Sequence, residues 1–487
     1  MKFLISSQKL PLQKKLPKYI LYPVKIIMKL EQKPTKSIQK LPDGPSMSSW
    51  EQQLHSWKFF FDPISTLEER FSQYGDIFRT NKNSTFPYIY CGHPDAVQQI
   101  INADADIFDS REKHPVIREI MGKHSMSFLD GKPHLRQRKL LMPPLHGDRM
   151  HTYGQSIHDI TSEVIAQWKI NKPFCIRKSI EEITSRVIFS VVFGLNSQNY
   201  GRLGQLLLQF VHSFSNPLNS SFLFFDFLQK DLGAWSPWGR FIRNQQEINQ
   251  LLLGEIQKAR EEVTHRDDIL SLLLEARDET GQTMSDEEIK DQLMLMMIAG
   301  YENVSSTLVW ALYWIDIIPS VRQKLLNELG TIPISSKQTE IVNLPYLTAV
   351  CQETLRIYPI AIAAIPRQVK KPVEIMGYQL EPGTVLRVGI YHIHQREDIY
   401  PQAKQFKPER FLERKFSPSE YLPFGFGDRF CLGYAFAMFQ IKIVLATIMT
   451  QCELKLVPGQ RIKPVLRSFT MAPPANMQMV VKHKVSS

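Results

Sequence analysis

The chain has 487 residues, of which 43% are hydrophobic and 22% are charged, a composition typical of a globular protein with a large apolar core. The net charge of +11 points to acidic partners, but no run of five Lys or Arg residues, zinc-ligand spacing or nucleic-acid motif accompanies it. We therefore expect no nucleic-acid binding, and an acidic redox protein or an anionic membrane surface fits the charge better.

The five cysteines, Cys91, Cys175, Cys351, Cys431 and Cys452, are far apart and form no CxxC pair. An odd number of scattered cysteines argues against a disulfide framework and favours a reducing compartment. We expect a cytoplasmic protein.

Residues 1–40 read as a basic leader that ends before the Pro-rich boundary at residues 41–45. The apolar stretch 19–28 is interrupted by Pro23 and Lys25 and is too short to span a bilayer. Two interpretations stay open: a segment peripheral to a membrane surface, or a loosely ordered tail. Residues 41–487 would form the catalytic domain.

Short alternating runs in residues 76–90 predict strands, and residues 157–274 read as mostly helical, with a break at residues 235–239. The aromatic stretch 222–227 (FLFFDF) is compatible with three positions: in the hydrophobic core, in the wall of an apolar pocket, or in contact with lipid. Strand-like runs and a turn follow in residues 367–388, and residues 392–424 read as irregular.

One long helix is the clearest predicted element. Ser285 and Glu288 have the spacing of a capping box, and an apolar run at residues 293–298 continues the helical pattern. Glu302 and Asn303 near its middle argue against a membrane span, because polar groups deep in hydrocarbon are costly. We expect this helix to cross the interior of an α-rich domain.

The segment 424–433 (FGFGDRFCLG) carries the strongest signal of chemistry. Cys431 follows a glycine-containing loop and directly precedes a predicted helix that starts near Gly433. Backbone N–H groups and a helix N-terminus stabilise a thiolate, and glycines let a flat macrocycle approach the backbone. A lone cysteine is more often a small buried hydrophobe, so the surrounding pattern decides.

Five positions, Phe424, Gly427, Arg429, Cys431 and Gly433, resemble the haem-binding signature FxxGxRxCxG of the cytochrome P450 family. The resemblance implies haem b as cofactor, with Cys431 as the protein's ligand to iron. It also implies a mainly α fold with small β-sheets, in which a single triangular α-rich domain has a long central helix over the haem. A thiolate ligand favours O–O cleavage.

Two more segments match the family in order. Glu353 and Arg356 resemble its ExxR motif, and Arg410 lies in a match to PERF. The resemblance implies a buried ion-pair network of these three residues, which would hold the cysteine loop in place.

Three further residues resemble positions that bind the haem propionates. His134 and Arg138 match the HxxxR pattern, one helical turn apart, and Arg367 matches a second propionate position. A solvated basic helix face is the alternative for the first two.

Within the long helix, Ala299, Gly300, Glu302 and Asn303 resemble the segment that makes room for dioxygen and organises proton-delivering water. Asn303 stands where the family usually has Thr, and an amide does not act as a hydroxyl does. Three outcomes stay open: an ordinary hydroxylase, a poorly coupled enzyme that releases peroxide, or a peroxide-using or other non-hydroxylating enzyme.

The predicted substrate pocket is apolar. Its candidate walls, which could equally be core, are Ile298, Ala299, Ile362, Ala363, Ile365 and Met471. Residues 394–412 resemble cyanobacterial members related to fatty-acid and terpene hydroxylases, which implies a fatty acid, alkane or terpenoid substrate and O2 as co-substrate.

No flavin or iron–sulfur module is visible, so a separate ferredoxin-type or flavoprotein donor would supply electrons to a monomeric enzyme. Arg136, Lys139, Arg414 and Lys415 were candidates for a basic docking face. Two rival functions remain: a donor-independent haem-thiolate isomerase or dehydratase, and a non-catalytic haem sensor.

Overall fold

The computed structural model describes residues 41–84, 87–103, 106–111, 115–147, 149–194, 201–215, 228–262, 267–332, 338–467 and 470–485. Helices dominate these ranges, as the resemblance implies. They are α1 Ser49–Phe61, α2 Pro63–Tyr74, α3 Pro94–Asn102, α4 Pro115–Met121, α5 Gly131–Leu141, α6 Arg149–Gln167, α7 Ile176–Phe193, α8 Gly201–Ser215, α9 Pro237–Glu261, α10 Ile269–Glu275, α11 Asp286–Ile317, α12 Pro319–Leu329, α13 Gln338–Ile341, α14 Pro345–Ile357, α15 Ile390–His394, α16 Arg410–Glu413 and α17 Tyr434–Gln451.

The strands form small sheets beside the helices. They are β1 Ile77–Arg79, β2 Tyr88–Cys91, β3 Phe108–Asp109, β4 Pro173–Cys175, β5 Arg367–Val369, β6 Val373–Ile375, β7 Tyr378–Leu380, β8 Val385–Val388, β9 Cys452–Leu456, β10 Val465–Arg467, β11 Thr470–Ala472 and β12 Gln478–Lys484. The largest described sheet has the order β1-β2-β8-β5-β3, and β4-β12-β9 form another. Two antiparallel hairpins, β6-β7 and β10-β11, complete the set.

Helix α11 begins where the capping box predicts. The Ser285 side chain accepts a hydrogen bond from the Glu288 N–H over 3.2 Å, and the Glu288 carboxylate accepts one from the Ser285 N–H over 2.9 Å. The helix packs against α7, α14 and α17, and its residues 304–312 are all buried. It therefore crosses the interior of the protein, as expected.

Among the described residues, α17 has the length and apolar composition of a membrane span, and α11 with α12 passes the same test as a pair bent by 108°. However, 67% of the α17 span is buried inside the protein. A core helix of a globular protein has these same properties.

Two predicted segments lie outside the described residues, and one predicted break differs from the structure. The leader 1–40 and the aromatic stretch 222–227 lie outside the described residues. The break expected at residues 235–239 lies earlier than predicted: described residues 228–236 form no α-helix, and α9 already begins at Pro237, where proline suits the first helical position. Ser236 caps this helix by accepting a hydrogen bond from the Gly239 N–H over 3.0 Å.

Candidate functional site

Cys431 lies in a short loop that leads into α17. The Cys431 N–H donates a hydrogen bond to the Phe424 carbonyl over 2.9 Å, and the Phe430 N–H donates to the Gly427 carbonyl over 3.1 Å. Gly427 has a φ of +62°, a left-handed conformation that glycine adopts without steric cost. The loop thus carries Cys431 to an exposed position beside the buried Leu432.

Opposing effects act on the thiol of Cys431. Burial by surrounding protein raises its pKa, and the N–H groups of Gly433 and Tyr434 and the charge of Arg138 lower it without cancelling the effect of burial. The side chain is therefore reachable from one side and enclosed on the others. A cation bound to the sulfur would favour the thiolate, because a metal deprotonates a coordinating thiol.

Two arginines, one on α5 and one in the loop itself, fix the cysteine loop. Arg138 on α5 donates a hydrogen bond to the Phe430 carbonyl over 2.7 Å, one residue before the cysteine. Arg429 within the loop donates to the Leu129 carbonyl over 2.6 Å and pairs with Asp130 at 3.1 Å. The loop is fastened in both directions to the segment that starts α5.

Arg367 and His134 are buried beside the same loop. Arg367 is 3% exposed and pairs with Asp428 at 3.2 Å, and burial lowers the pKa of its guanidinium to about 10. Burial first, and then the charge of Arg429, lower the pKa of His134 to about 4, so this imidazole is neutral near pH 7. A neutral imidazole offers one N–H donor.

The donor set fits haem b. The Cys431 thiol is open on one side, a Cβ added at Gly433 would meet no atom within 4 Å, and Arg138, Arg367 and His134 supply donors suited to two carboxylates. The described part of the chain contains no group of three or more His, Cys, Asp or Glu residues that could hold a bare metal ion. Iron carried in a macrocycle and held by one thiolate matches this arrangement.

The structure brings Glu353, Arg356 and Arg410 together in the interior. Arg356 pairs with the Glu353 carboxylate through two nitrogens, at 2.7 and 2.9 Å, and both side chains are fully buried. The Arg410 Nε atom lies 3.1 Å from Glu353. Arg356 also donates to the carbonyls of His394 and Ala403, at 2.7 and 2.8 Å. The cluster thereby fixes the irregular segment that precedes the cysteine loop.

Ala299 and Gly300 occupy different surroundings on α11. Ala299 is exposed in the middle of a helix that is otherwise largely buried, so it faces open space. Gly300 faces α7 instead, where an added Cβ would come within 3.0 Å of the Ile188 Cδ1 atom. The structure therefore places Gly300 in the packing of α11 against α7, and its role in making room for dioxygen stays a prediction.

Glu302 is held by two arginines. Its carboxylate lies 2.6 Å from an Arg177 nitrogen and 3.6 Å from Arg467, and both arginines also contact Glu181, at 2.7 and 3.4 Å. This cluster joins α7, α11 and β10. The carboxylate of Glu302 thus ties these three elements together, and its catalytic role stays a prediction.

Asn303 is half-buried, and the hydroxyl groups that follow it in sequence are engaged elsewhere. Ser305 donates to the Tyr301 carbonyl over 2.7 Å, Thr307 donates to the Asn303 carbonyl over 2.9 Å, and Ser306 accepts from Arg177 over 3.3 Å. All three hydroxyl-bearing residues are at most 2% exposed. No nearby hydroxyl on this stretch of α11 replaces the Thr that the family usually has.

The candidate substrate residues separate into two groups. Ile362, Ala363 and Met471 are 6%, 7% and 1% exposed and pack in one cluster, so in this structure they are core. Ile365 is 41% exposed and Ile298 is half-buried. Of the expected walls, only Ala299, Ile298 and Ile365 have accessible surface that a ligand could cover.

The basic docking face stays a prediction, and three of its four residues lie beside acidic partners. Arg136 pairs with Asp278 at 2.6 Å and with Glu288 at 3.1 Å, and Lys139 pairs with Glu279 at 2.5 Å. Arg414 is paired with Glu420. Acidic neighbours therefore already neutralise three of the four cations.

Sequence reasoning missed the residues that act over long distances. Arg177 and Arg467 carry no local motif, although they hold Glu302. Gln292, fully buried on α11, donates to the His124 carbonyl over 2.7 Å and accepts from the Met126 N–H over 3.1 Å. A glutamine nearly two turns into a long buried helix was the available signal, but its partners could not be read from the sequence.

Substitution of Glu353 by Gln should lower the free energy of unfolding by about 3–5 kcal/mol, because two buried guanidinium groups lose their counter-charge. Urea unfolding of the haem-loaded protein measures the change. Glu69→Gln is the control, since it breaks an exposed pair with Lys58 and should leave stability almost unchanged. Equal, small effects of both substitutions would show that the buried cluster does not hold this region.

Acid should destabilise the protein partly through His394. Burial, and then the charge of Arg356, lower the pKa of this imidazole to about 3, and its Nε2 atom accepts the Leu422 N–H over 3.0 Å. Below the unfolded-state pKa of about 6.5, the unfolded chain gains a proton that the folded protein does not, so stability falls by about 2 kcal/mol from pH 7.5 to pH 5.

The matching variant is His394→Gln, with the exposed His483→Gln as control. The first should flatten the dependence of the unfolding free energy on pH, and the second should not. An unchanged slope in His394→Gln would contradict this origin of the acid sensitivity.

Known proteins resemble the chain over most of its length. Residues 52–480 match the family model described as "Cytochrome P450". The chain is 28% identical over 443 residues to "Putative cytochrome P450 135B1" of Mycobacterium tuberculosis, with 89% of each chain covered. It is 31% identical over 386 residues to "Putative cytochrome P450 137" of the same organism, covering 77% of this chain and 76% of the relative.

Two solved structures show the same fold. "Retinoic acid bound cyanobacterial CYP120A1" aligns with a TM-score of 0.79 at 22% identity, over 92% of this chain and 100% of that one. "Crystal structure of cytochrome P450DA heme domain" aligns with a TM-score of 0.80 at 19% identity, over 92% and 99%. Together with the family match and the loop around Cys431, they lead to one conclusion: the chain belongs to the cytochrome P450 family, whose members are monooxygenases that bind haem through a cysteine thiolate.

Proposed function

We propose that the enzyme inserts one oxygen atom from O2 into an apolar substrate, namely a fatty acid, alkane or terpenoid. The observation that carries this proposal is that Cys431, in the glycine-containing loop, is exposed, and Ala299, halfway along the largely buried helix α11, is exposed as well. Ile298 and Ile365 add accessible apolar surface. Such surface binds hydrocarbon by burial and orients it by shape.

The likeness to a structure bound to retinoic acid agrees with this substrate class, since retinoic acid is an apolar molecule that ends in a carboxylate. We further propose a cytoplasmic monomer in which residues 1–40 form a leader and residues 41–487 the catalytic domain. All five cysteines are free, as a reducing compartment requires. A separate ferredoxin-type or flavoprotein donor would supply the electrons.

When bound, the haem supplies the oxidising chemistry. The chain's own residues then have three tasks. Cys431 would hold the haem iron through its thiolate, and the N–H groups of Gly433 and Tyr434 and the charge of Arg138 favour the anion. His134, Arg138 and Arg367 would hold the propionates. Ala299, which is small and exposed, would leave room for the substrate and O2.

Proton delivery would depend on Asn303. Its side-chain amide can both donate to and accept from one water molecule, which would orient that water towards the open space beside Ala299. Glu302 would act indirectly, because Arg177 and Arg467 already hold its carboxylate. We therefore assign Glu302 a positioning role and assign Asn303 the contact with water.

The substrate class is tested with purified haem-loaded protein and a panel of fatty acids, alkanes and terpenoids. Binding should shift the spin state of the haem, and a ferredoxin system with NADPH should convert the binders to hydroxylated products. Absence of any spin-state shift across the panel, with small polar compounds binding instead, would reject an apolar substrate.

Asn303→Thr should increase product formed per NADPH consumed, by about threefold or more, and lower peroxide release, because a hydroxyl group orders water in the usual family arrangement. Asn303→Ala is the control, which removes the polar group and should lower this coupling. If Asn303→Thr has no effect on coupling, the amide is not part of proton delivery.

A second function, rearrangement or use of a peroxide without an electron donor, is favoured by one observation. Asn303 replaces the usual Thr, and the neighbouring hydroxyls are engaged in other bonds. Turnover of a lipid hydroperoxide in the absence of reductant, lost in Asn303→Thr, would support this function. Turnover only with NADPH and a donor would support the monooxygenase.

A further inference from the structure

Segment 122–130 connects α4 to α5 and is fastened to helix α11 near the start of that helix. The fully buried amide of Gln292 donates to the His124 carbonyl over 2.7 Å and accepts a hydrogen bond from the Met126 N–H over 3.1 Å. Asp291, also buried, accepts one from the His124 N–H over 2.8 Å. Two neighbouring side chains of one helix therefore bind three backbone groups of the segment.

The segment packs closely against these side chains. Gly122 has a φ of +81°, and a Cβ at this position would overlap the Asp291 carboxylate. Lys290 lies 3.4 Å from the same carboxylate and offsets its buried charge. Because both backbone partners of the Gln292 amide would lose a hydrogen bond if the segment moved away, its position relative to α11 is fixed.

The other end of the segment holds the cysteine loop. Arg429, two residues before Cys431, donates a hydrogen bond to the Leu129 carbonyl over 2.6 Å. The same guanidinium pairs with Asp130 at 3.1 Å. The segment that α11 holds at one end therefore supports the candidate haem ligand at the other.

A short 3-10 turn, Met126–Phe128, joins the two ends of the segment. The Met126 carbonyl accepts a hydrogen bond from the Leu129 N–H over 3.2 Å. The N–H and the carbonyl of Met126 and of Leu129 are thus linked in series, from the amide of Gln292 to the guanidinium of Arg429. Hydrogen bonds linked in series polarise and strengthen one another.

Gln292 lies on the same face of α11 as Ala299. Seven residues at about 100° each bring two side chains to within about 20° of one another, with a rise of about 10 Å along the helix. Ala299 is the exposed residue of the candidate site. The anchor of the segment is therefore two turns away from the site, on the face of the helix that the site uses.

We propose that Gln292 is a positioning residue for the Cys431 thiolate. Through segment 122–130 and Arg429, it holds the loop where the backbone N–H groups just after the cysteine favour the anion. Its effect on the sulfur is indirect. Which substrate the enzyme oxidises does not affect this role, which requires only that Cys431 binds the haem iron.

The test compares Gln292→Leu with Asn81→Leu in purified haem-loaded protein. Asn81 is the matched control, because its buried amide also binds two backbone groups of another segment, the Met47 N–H over 3.2 Å and the Met47 carbonyl over 3.1 Å. Both substitutions should lower the free energy of unfolding.

Only Gln292→Leu should change the spectrum of the haem. The share of the reduced carbon monoxide complex that absorbs as thiol-ligated rather than thiolate-ligated haem should rise by about three- to tenfold, the factor that one lost hydrogen bond is worth. The reduction potential of the haem should shift as well, whereas Asn81→Leu should leave both properties as in the parent protein.

Gln292→Glu tests the hydrogen bonds themselves and remains informative if Gln292→Leu does not fold. When protonated, the introduced carboxyl has an O–H donor and an acceptor, as the amide does, and when ionised it has acceptors only. Compared with the parent at each pH, its spectrum should match the parent's at low pH and move towards that of Gln292→Leu as pH rises.

Two results would overturn the proposal: a spectrum and potential of Gln292→Leu equal to the parent's, or equal changes in Asn81→Leu, which would reflect a general loss of stability. Agreement of Gln292→Glu with the parent at every pH would also contradict it. Cys431→Ser must lose the thiolate band. If it keeps that band, the ligand assignment is wrong, and the role of Gln292 falls with it.

Discussion

The candidate site depends on a loop that leaves the Cys431 sulfur open on one side while protein encloses the others. Exposing a cysteine in this way requires fixed backbone, because a mobile loop would let the thiol turn into the core. Arg138 and Arg429 provide this fixation by binding backbone carbonyls on either side of the contact between the loop and the start of α5. Behind the loop, α17 is packed into the main core.

The buried cluster around Glu353 supports the same loop from further away. Its arginines bind backbone carbonyls of a largely irregular segment, and His394 accepts a hydrogen bond from the Leu422 N–H just before the loop begins. Guanidinium groups suit this task, because each has several donors in a rigid plane. Hydrogen bonds from these charged side chains therefore hold the backbone where regular secondary structure is sparse.

Different faces of helix α11 have different surroundings: one is exposed, and the others pack or form ion pairs within the protein. Ala299 faces open space, Gly300 allows close packing on α7, and Glu302 binds the arginines of α7 and β10. Consecutive residues on a helix point about 100° apart, so a motif of neighbouring residues necessarily divides its roles among several faces. The family motif identifies a stretch of helix, and the structure shows which of its side chains are exposed, which pack against α7 and which form ion pairs.

Local patterns were predictable, and contacts between distant segments were not. The capping box at Ser285, the strands and the helix after Gly433 depend on neighbouring residues, and the pairing of Glu353 with Arg356 follows from helical spacing. Arg177 lies 125 residues before Glu302, so no spacing rule could connect them. Met471 was apolar and well placed, yet only packing decides between core and pocket wall. The ion pair of Arg136 could not be predicted either, because its acidic partner Asp278 lies 142 residues later in the sequence.

The most direct test of this account is the axial bond itself. Purified Cys431→Ser protein, reconstituted with haem, reduced with dithionite and exposed to carbon monoxide, should show a Soret band displaced from that of the parent protein, because the thiolate no longer reaches iron. A Soret band identical to the parent's would mean that another residue ligates the metal, and the assignment of the site to Cys431 would be wrong.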